Sequence, residues 1–189
     1  MESSAFTLQG IFSPNPQTKR ANRVKWCMKP TGDDKIIAYG CQKNLVIRNL
    51  SDPSKTVIYN TQVPNIITCA KYSANGNYLA YGDEKGSIRI IGWSTAENDW
   101  VIKYENQNML NGAVSDLSWT DDHQKIVAVG AGGKRAAAIN IEMGNQAGEL
   151  VGHNGTLLCC DVKNPKPYKL IVSGEDKEIQ VYKGIPFTL

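Results

Sequence analysis

The stretch Tyr78-Leu79-Ala80-Tyr81-Gly82-Asp83-Glu84-Lys85-Gly86-Ser87-Ile88-Arg89-Ile90-Ile91-Gly92-Trp93 decides the fold. Two short runs rich in aromatic and β-branched residues flank a segment of Asp, Gly and Ser, so it reads as strand, hairpin, strand. A third run, Thr68-Cys69-Ala70-Lys71-Tyr72-Ser73, stands just upstream across Ala74-Asn75-Gly76-Asn77. Asn and Gly there tolerate the left-handed dihedrals of a tight turn.

The unit recurs four times. Its copies are Arg23-Val24-Lys25-Trp26 with residues 35–40 and 45–49, the stretch above, residues 114–119 with 125–130 and 138–142, and residues 158–162 with 170–174 and 179–183. Gly40, Gly82, Gly130 and Gly174 close the second run of each copy, at spacings of 42, 48 and 44 residues. Weaker runs at 56–59, 100–104 and 146–151 supply a fourth, outer strand. No segment carries a long 3.6-residue pattern. Three firm strands and a weaker fourth at a period of about 45 match the blade of a WD-repeat β-propeller, so the expected class is all-β. Residues 1–22 read as an N-terminal strand and loop, 23–59 as blade one, 60–104 as blade two and 105–151 as blade three. Residues 152–189 read as an incomplete blade four and the start of a connection to a missing blade five. A four-blade arc exposes strand edges at its two ends, which predicts self-association through open blade edges.

The Trp-Asp signature is degraded to Arg48-Asn49, Ile91-Gly92, Ile141-Glu142 and Tyr182-Lys183, and one Gly-His stands at Gly152-His153. His153, Ser173, Asp176 and Tyr182 occupy the positions of the His-Ser-Asp-Trp hydrogen-bond chain of WD repeats. A tyrosine hydroxyl can replace the indole N–H as donor. His153 is therefore read as structural rather than as a catalytic base.

Composition narrows the function. Of 189 residues, 41% are hydrophobic and 21% charged, the balance of a chain with a packable core. Twenty-one Lys and Arg against 18 Asp and Glu give +3. That surplus is too small and too scattered for a nucleic-acid binder. No apolar run approaches a membrane span, and MESSAFTLQGIF lacks the charged and apolar regions of a secretory signal. Five cysteines, an odd number without a Cys-x-x-Cys pair, suit a reducing cytosol. Cys159 and Cys160, within an apolar run, read as small buried or half-buried strand residues.

The search for chemistry yields little. No His cluster has the spacing of a metal site, and no nucleophile elbow is present. Gly130-Ala131-Gly132-Gly133-Lys134-Arg135 fails as a phosphate loop because Ala128 and Arg135 stand where glycine and Ser/Thr are needed, which leaves a hairpin. Asp33-Asp34 and Asp121-Asp122 read as solvated turn acids, and Lys19-Arg20 with Arg23 and Lys25 as a solvated basic face. The expectation is a binding scaffold: not an enzyme, with no metal and no cofactor, whose rim loops build a protein-binding surface.

Particular stretches narrow it further: residues 69–73 through Gly76, 79–83 through Gly86, 88–90, 103–105, 116–122, 126–130, Gly148-Glu149-Leu150-Val151-Gly152-His153-Asn154, Pro167-Tyr168-Lys169-Leu170 and Gly184-Ile185-Pro186-Phe187. Over residues 9–189 the chain resembles the N-terminal half of the actin-interacting protein 1 family, WD-repeat cofactors of cofilin. The resemblance implies two seven-bladed propellers, of which this chain would supply about four blades of the first. It implies partners in actin filaments and cofilin, a cytoplasmic place on the actin cytoskeleton, and disassembly of cofilin-decorated filaments. It places partner contacts on Lys134 and Arg135 of the glycine-rich hairpin, on Glu175 and Asp176, and on Phe187. The family carries an acidic residue where Lys134 stands, and an aromatic where Leu189 stands. The alternative is a WD-repeat interaction scaffold for a complex without actin.

Overall fold

The computed structural model describes Pro14, residues 25–133 and residues 135–184. The expected N-terminal strand and loop, apart from Pro14, and the segment after Gly184 lie outside the described residues. Apart from one 3-10 turn at Pro53–Lys55, the regular structure is β, in four antiparallel sheets. β1 (Trp26–Met28), β2 (Ile36–Cys41), β3 (Asn44–Asn49) and β4 (Val57–Asn60) form the first in that order. β5 (Ile67–Tyr72), β6 (Tyr78–Asp83), β7 (Ile88–Ser94) and β8 (Asp99–Asn106) form the second. β9 (Val114–Trp119), β10 (Lys125–Gly130), β11 (Ala136–Asn140) and β12 (Gln146–Glu149) form the third. The fourth has three strands, β13 (Leu157–Lys163), β14 (Lys169–Gly174) and β15 (Ile179–Lys183).

Each sheet is a meander, because every connection is too short for a crossover. The sheets stack face to face in chain order. Their first strands touch in series, β1 on β5, β5 on β9 and β9 on β13, which makes these the inner strands. Three apolar layers fill the gaps. Cys27, Ala38, Leu45 and Ile47 meet Ala70, Leu79, Tyr81 and Ile91 between the first two sheets. Cys69, Ala80, Ile88 and Ile90 meet Val114, Leu117, Ile126 and Ala128 between the second and third. Val127, Val129 and Ala138 meet Cys160, Val162, Leu170 and Val172 between the third and fourth. No sheet is closed, and the four make an open propeller arc.

Glycine at the ends of β2 and β6 is a packing requirement. A Cβ on Gly40 would stand 2.6 Å from Ile67 Cγ2, and one on Gly82 would stand 2.7 Å from Val114. The next sheet's inner strand starts in that space. The ladders also correct the repeat register. Cys69, Asp116 and Cys159 lie just past a bulge, and their partners are Gly82, Val129 and Ser173. Gly130 and Gly174 therefore stand one residue beyond the position of Gly82.

One further reading changes. Lys25 is no solvated cation: its Nζ lies 2.7 Å from Asp116 and donates to Leu158 O at 2.9 Å, tying the first unit to the third and fourth. The fourth sheet presents an apolar outer face. On the fourth sheet's outer face Ile171 and Val181 pair across strands and are 46% and 47% exposed.

Candidate functional site: the rim between the third and fourth sheets

The hairpin from β10 to β11 and the turn from β14 to β15 meet at one rim. The hairpin approaches the loop before β9 so closely that a Cβ on Gly132, which sits at φ +93, would stand 2.6 Å from Asn111 O. Only glycine suits that backbone and that gap. Gly130 N–H donates to Arg135 O at 2.7 Å and closes the hairpin base.

Arg135 then reaches over the junction. Its Nε donates to Gly132 O at 3.0 Å and its NH1 to His153 O at 2.7 Å. Below that carbonyl, the His153 ring is buried, with Nδ1 2.8 Å from Asp176 Oδ2. The same carboxylate oxygen accepts Asn154 N–H at 2.9 Å, and Asp176 Oδ1 accepts Glu178 N–H at 3.2 Å. Burial works to raise the Asp176 pKa, but the bonds from His153 and the two backbone amides outweigh it and hold the carboxyl down to about 2. Glu175 N–H donates to Thr156 O at 2.8 Å, which leaves the Glu175 side chain exposed at the rim. A small cavity of about 140 Å³ lies in the junction, lined by Arg135, Leu150, His153, Leu157 and Tyr182 among others.

The sequence-derived residues divide accordingly. Arg135, His153, Glu175 and Asp176 come together. Lys134 and Phe187 lie outside the described residues. Of the four-residue hydrogen-bond chain the structure joins His153 to Asp176 and separates the other two. Ser173 pairs with Cys159 and Ile179, and the strand pleat turns it to the outer face, away from Val172 and Tyr182. Its Oγ lies 2.9 Å from Cys159 Sγ. The Tyr182 hydroxyl contacts Val151 O at 3.0 Å and Gln180 Oε1 at 2.6 Å. His153 Nε2 is buried without a hydrogen-bond partner. Cys160 is buried, whereas Cys159 is exposed.

No spacing in the sequence signals that the ligand atoms of His153, Asp176 and Glu178 approach within 4.8 Å of one another. Asp176 is engaged by His153 and two amides, and Glu178 Oε2 accepts Gln180 Nε2 at 2.8 Å, so the group acts as a turn lock. Sequence reasoning also missed a second polar lock, in the second sheet. There the fully buried Asp83 accepts from Asn65 Nδ2 at 3.0 Å and from Lys85 and Ser87 N–H, and lies 3.4 Å from Arg89 NH1. Arg89 Nε also donates to Glu105 at 2.8 Å. The signal was an Asp and an Arg inside otherwise apolar strands, each needing a partner if buried.

The rim thus carries exposed charge on a backbone held by the His153–Asp176 bonds. Among the described residues no helix is long and apolar enough to cross a membrane. No family model matches the chain. It is 35% identical over 184 residues, 97% of its length, to the 66 kDa stress protein of Physarum polycephalum. It is 32% identical over 184 residues, again 97% of its length, to actin-interacting protein 1 of Drosophila melanogaster, and 32% over 183 residues to WD repeat-containing protein 1 of Gallus gallus. It spans about 30% of the length of these relatives. Among solved structures it superposes on the β-propeller domain of Cps50 (Swd1) from Myceliophteria thermophila with a TM-score of 0.69, at 13% identity over 84% of this chain and 52% of that one. A chain of the mitotic checkpoint complex gives 0.68 at 17% identity, over 95% of this chain and 56% of that one. These structures share the WD40 propeller fold.

Proposed function

We propose, from the premise that this chain is a WD-repeat homologue of the proteins named actin-interacting protein 1 and WD repeat-containing protein 1, that it binds actin filaments and promotes disassembly of filaments decorated by cofilin. The observation that carries the reading is homology over 96–97% of the chain to proteins so named. The mode of action is recognition without catalysis, in the cytoplasm on the actin cytoskeleton. The contact surface includes Arg135, which spans the junction, and Glu175 and Asp176 of the turn beside it; the other two contacts that the resemblance implies, Lys134 and Phe187, lie outside the described residues. A binder that prefers a strained or severed filament over an intact one shifts the equilibrium toward disassembly by its difference in affinity.

Filament co-sedimentation tests this. The chain pellets with cofilin-decorated filaments and raises the actin left in the supernatant over cofilin alone. A chain that stays in the supernatant and leaves the actin distribution unchanged contradicts the reading, and an affinity capture containing other proteins but neither actin nor cofilin supports the scaffold alternative.

A further inference from the structure

The hairpin that joins β7 to β8 carries two tryptophans that the fold leaves partly open. Trp93 and Trp100 are direct cross-strand partners, so they share a face, with ring centroids 5.9 Å apart and planes at 81°. Ile91 and Ile102 continue that face, and Ile91 and Trp100 pack into the layer between the first two sheets. The pair therefore stands at the outer mouth of that layer. Val57, at the matching end of β4, turns into the same layer, because its cross-strand partner Ile47 packs there. Trp93 and Ile102 are each 48% exposed. Ser94 and Asp99 close the hairpin, Glu97 lies in the turn between them, and both acids are exposed. Burial raises the pKa of the Tyr59 hydroxyl on β4, and the Asp99 carboxylate raises it further, so Asp99 acts across the gap toward the first sheet. Among the described residues neither Glu97 nor Asp99 forms an ion pair.

We infer that this mouth takes an arginine side chain of a partner protein. Two indole rings at a right angle form a corner, and indole is the aromatic face that holds a cation best. A planar guanidinium lies flat on such a face while its N–H groups reach a carboxylate at its edge. Lysine offers only a hydrated point charge and cannot do both. Two negative charges beside the corner attract a cation and repel an acidic group. The T-shaped contact also fastens the end of the hairpin, but fastening requires neither the exposure of Trp93 nor two acids without a cation. Val57 and Ile102 extend the mouth with apolar surface, which suits aliphatic neighbours of that arginine. The site stands apart from the rim of Arg135 and Glu175. The turn from β6 to β7 belongs to that rim, and the next turn of a meander falls at the other end of the strands. Binding here is therefore independent of the filament reading.

Indole N–H signals in proton–nitrogen correlation spectra of the 189-residue chain test it. The probe is a capped pentapeptide with arginine at its centre and leucine on each side. The expected result is a saturable shift of the Trp93 and Trp100 signals, with dissociation at about a millimolar and weaker binding as salt rises. The same peptide with citrulline, which keeps the shape of arginine without its charge, binds about fivefold more weakly or worse. Trp93→Leu keeps an apolar side chain but removes the aromatic face, and lowers affinity about fivefold, read from Trp100. Glu97→Gln combined with Asp99→Asn lowers it about threefold. Asparagine can still accept the Trp100 N–H that Asp99 Oδ1 holds at 2.7 Å, so the amide spectrum away from the hairpin stays unchanged. No saturable shift, equal binding of the citrulline peptide, or full affinity in either variant would each overturn the inference. Filament binding is scored separately and does not enter this result.

Discussion

The first and fourth sheets are the two ends of the same arc, and each turns one face away from the stack. On the first, Tyr39 and Val46 of that face are fully buried; on the fourth, Ile171, Val181 and Ile179 stand in solvent. On the first sheet, the Tyr39 hydroxyl donates to the carbonyl of Pro14, 25 residues earlier, while the cross-strand neighbours Trp26 and Ile58 stay exposed. Neighbouring positions on one outer face thus differ sharply in burial, as Tyr39 and Trp26 do, and the alternation of the strand does not reveal which are covered.

Substitution at matched positions breaks the comparison most sharply. Val46→Asp puts a charge into a fully buried site and costs about 3 kcal/mol or more, whereas Val181→Asp, on the open face, changes monomer stability by about 0.5 kcal/mol or less. Urea denaturation at low protein concentration measures both, and equal effects would erase the distinction. Tyr39→Phe removes the hydroxyl that joins the first sheet to Pro14 and costs about 1 kcal/mol by the same measurement. A loss near zero would show that the apolar contact alone holds that end.

The fourth sheet has its own lock, and pH reads it. The Asp176 carboxyl is depressed from 3.8 to about 2 in the folded chain, so its stabilising effect is present in full above pH 4 and is lost as pH falls toward 2. Thermal melts between pH 4 and pH 2 are expected to fall, with a shallower slope in Asp176→Asn. An unchanged slope would mean that the carboxylate's charge plays no part.

Much of this architecture was legible in the sequence. Short apolar runs near Gly82 and its counterparts, at a spacing of about 45, lead to a stack of antiparallel sheets, because a meander with a two-sided apolar pattern must be covered on both faces. The exact register was not legible: β5 and β13 carry the same bulge, yet Leu157 opposes Gly174 where Ile67 opposes Asp83, so Gly174 stands one place beyond Gly82. The ladder likewise places Ser173, not Gly174, at the position of Gly82. Spacing put it in the hydrogen-bond chain of His153, but the pleat put its side chain on the other face, beside Cys159. Lys25 was misread because its partners, Asp116 and Leu158, are 91 and 133 residues away, beyond any local pattern. The rim cluster was half legible. His153 and Asp176 followed from the repeat, but Arg135 as the strap over His153 O did not, since its role depends on how two turns meet.

The rim and the far surface of the second sheet supply the most direct test of the functional account. Glu175 is exposed and contributes only its backbone N–H to the fold among the described residues, so Glu175→Lys reverses rim charge without touching the lock. Lys103→Glu makes the opposite reversal on the exposed outer strand β8. In co-sedimentation with cofilin-decorated actin filaments, the account predicts that Glu175→Lys lowers the bound fraction severalfold while Lys103→Glu binds as the unmodified chain does. Binding by Glu175→Lys at the unmodified level would contradict it.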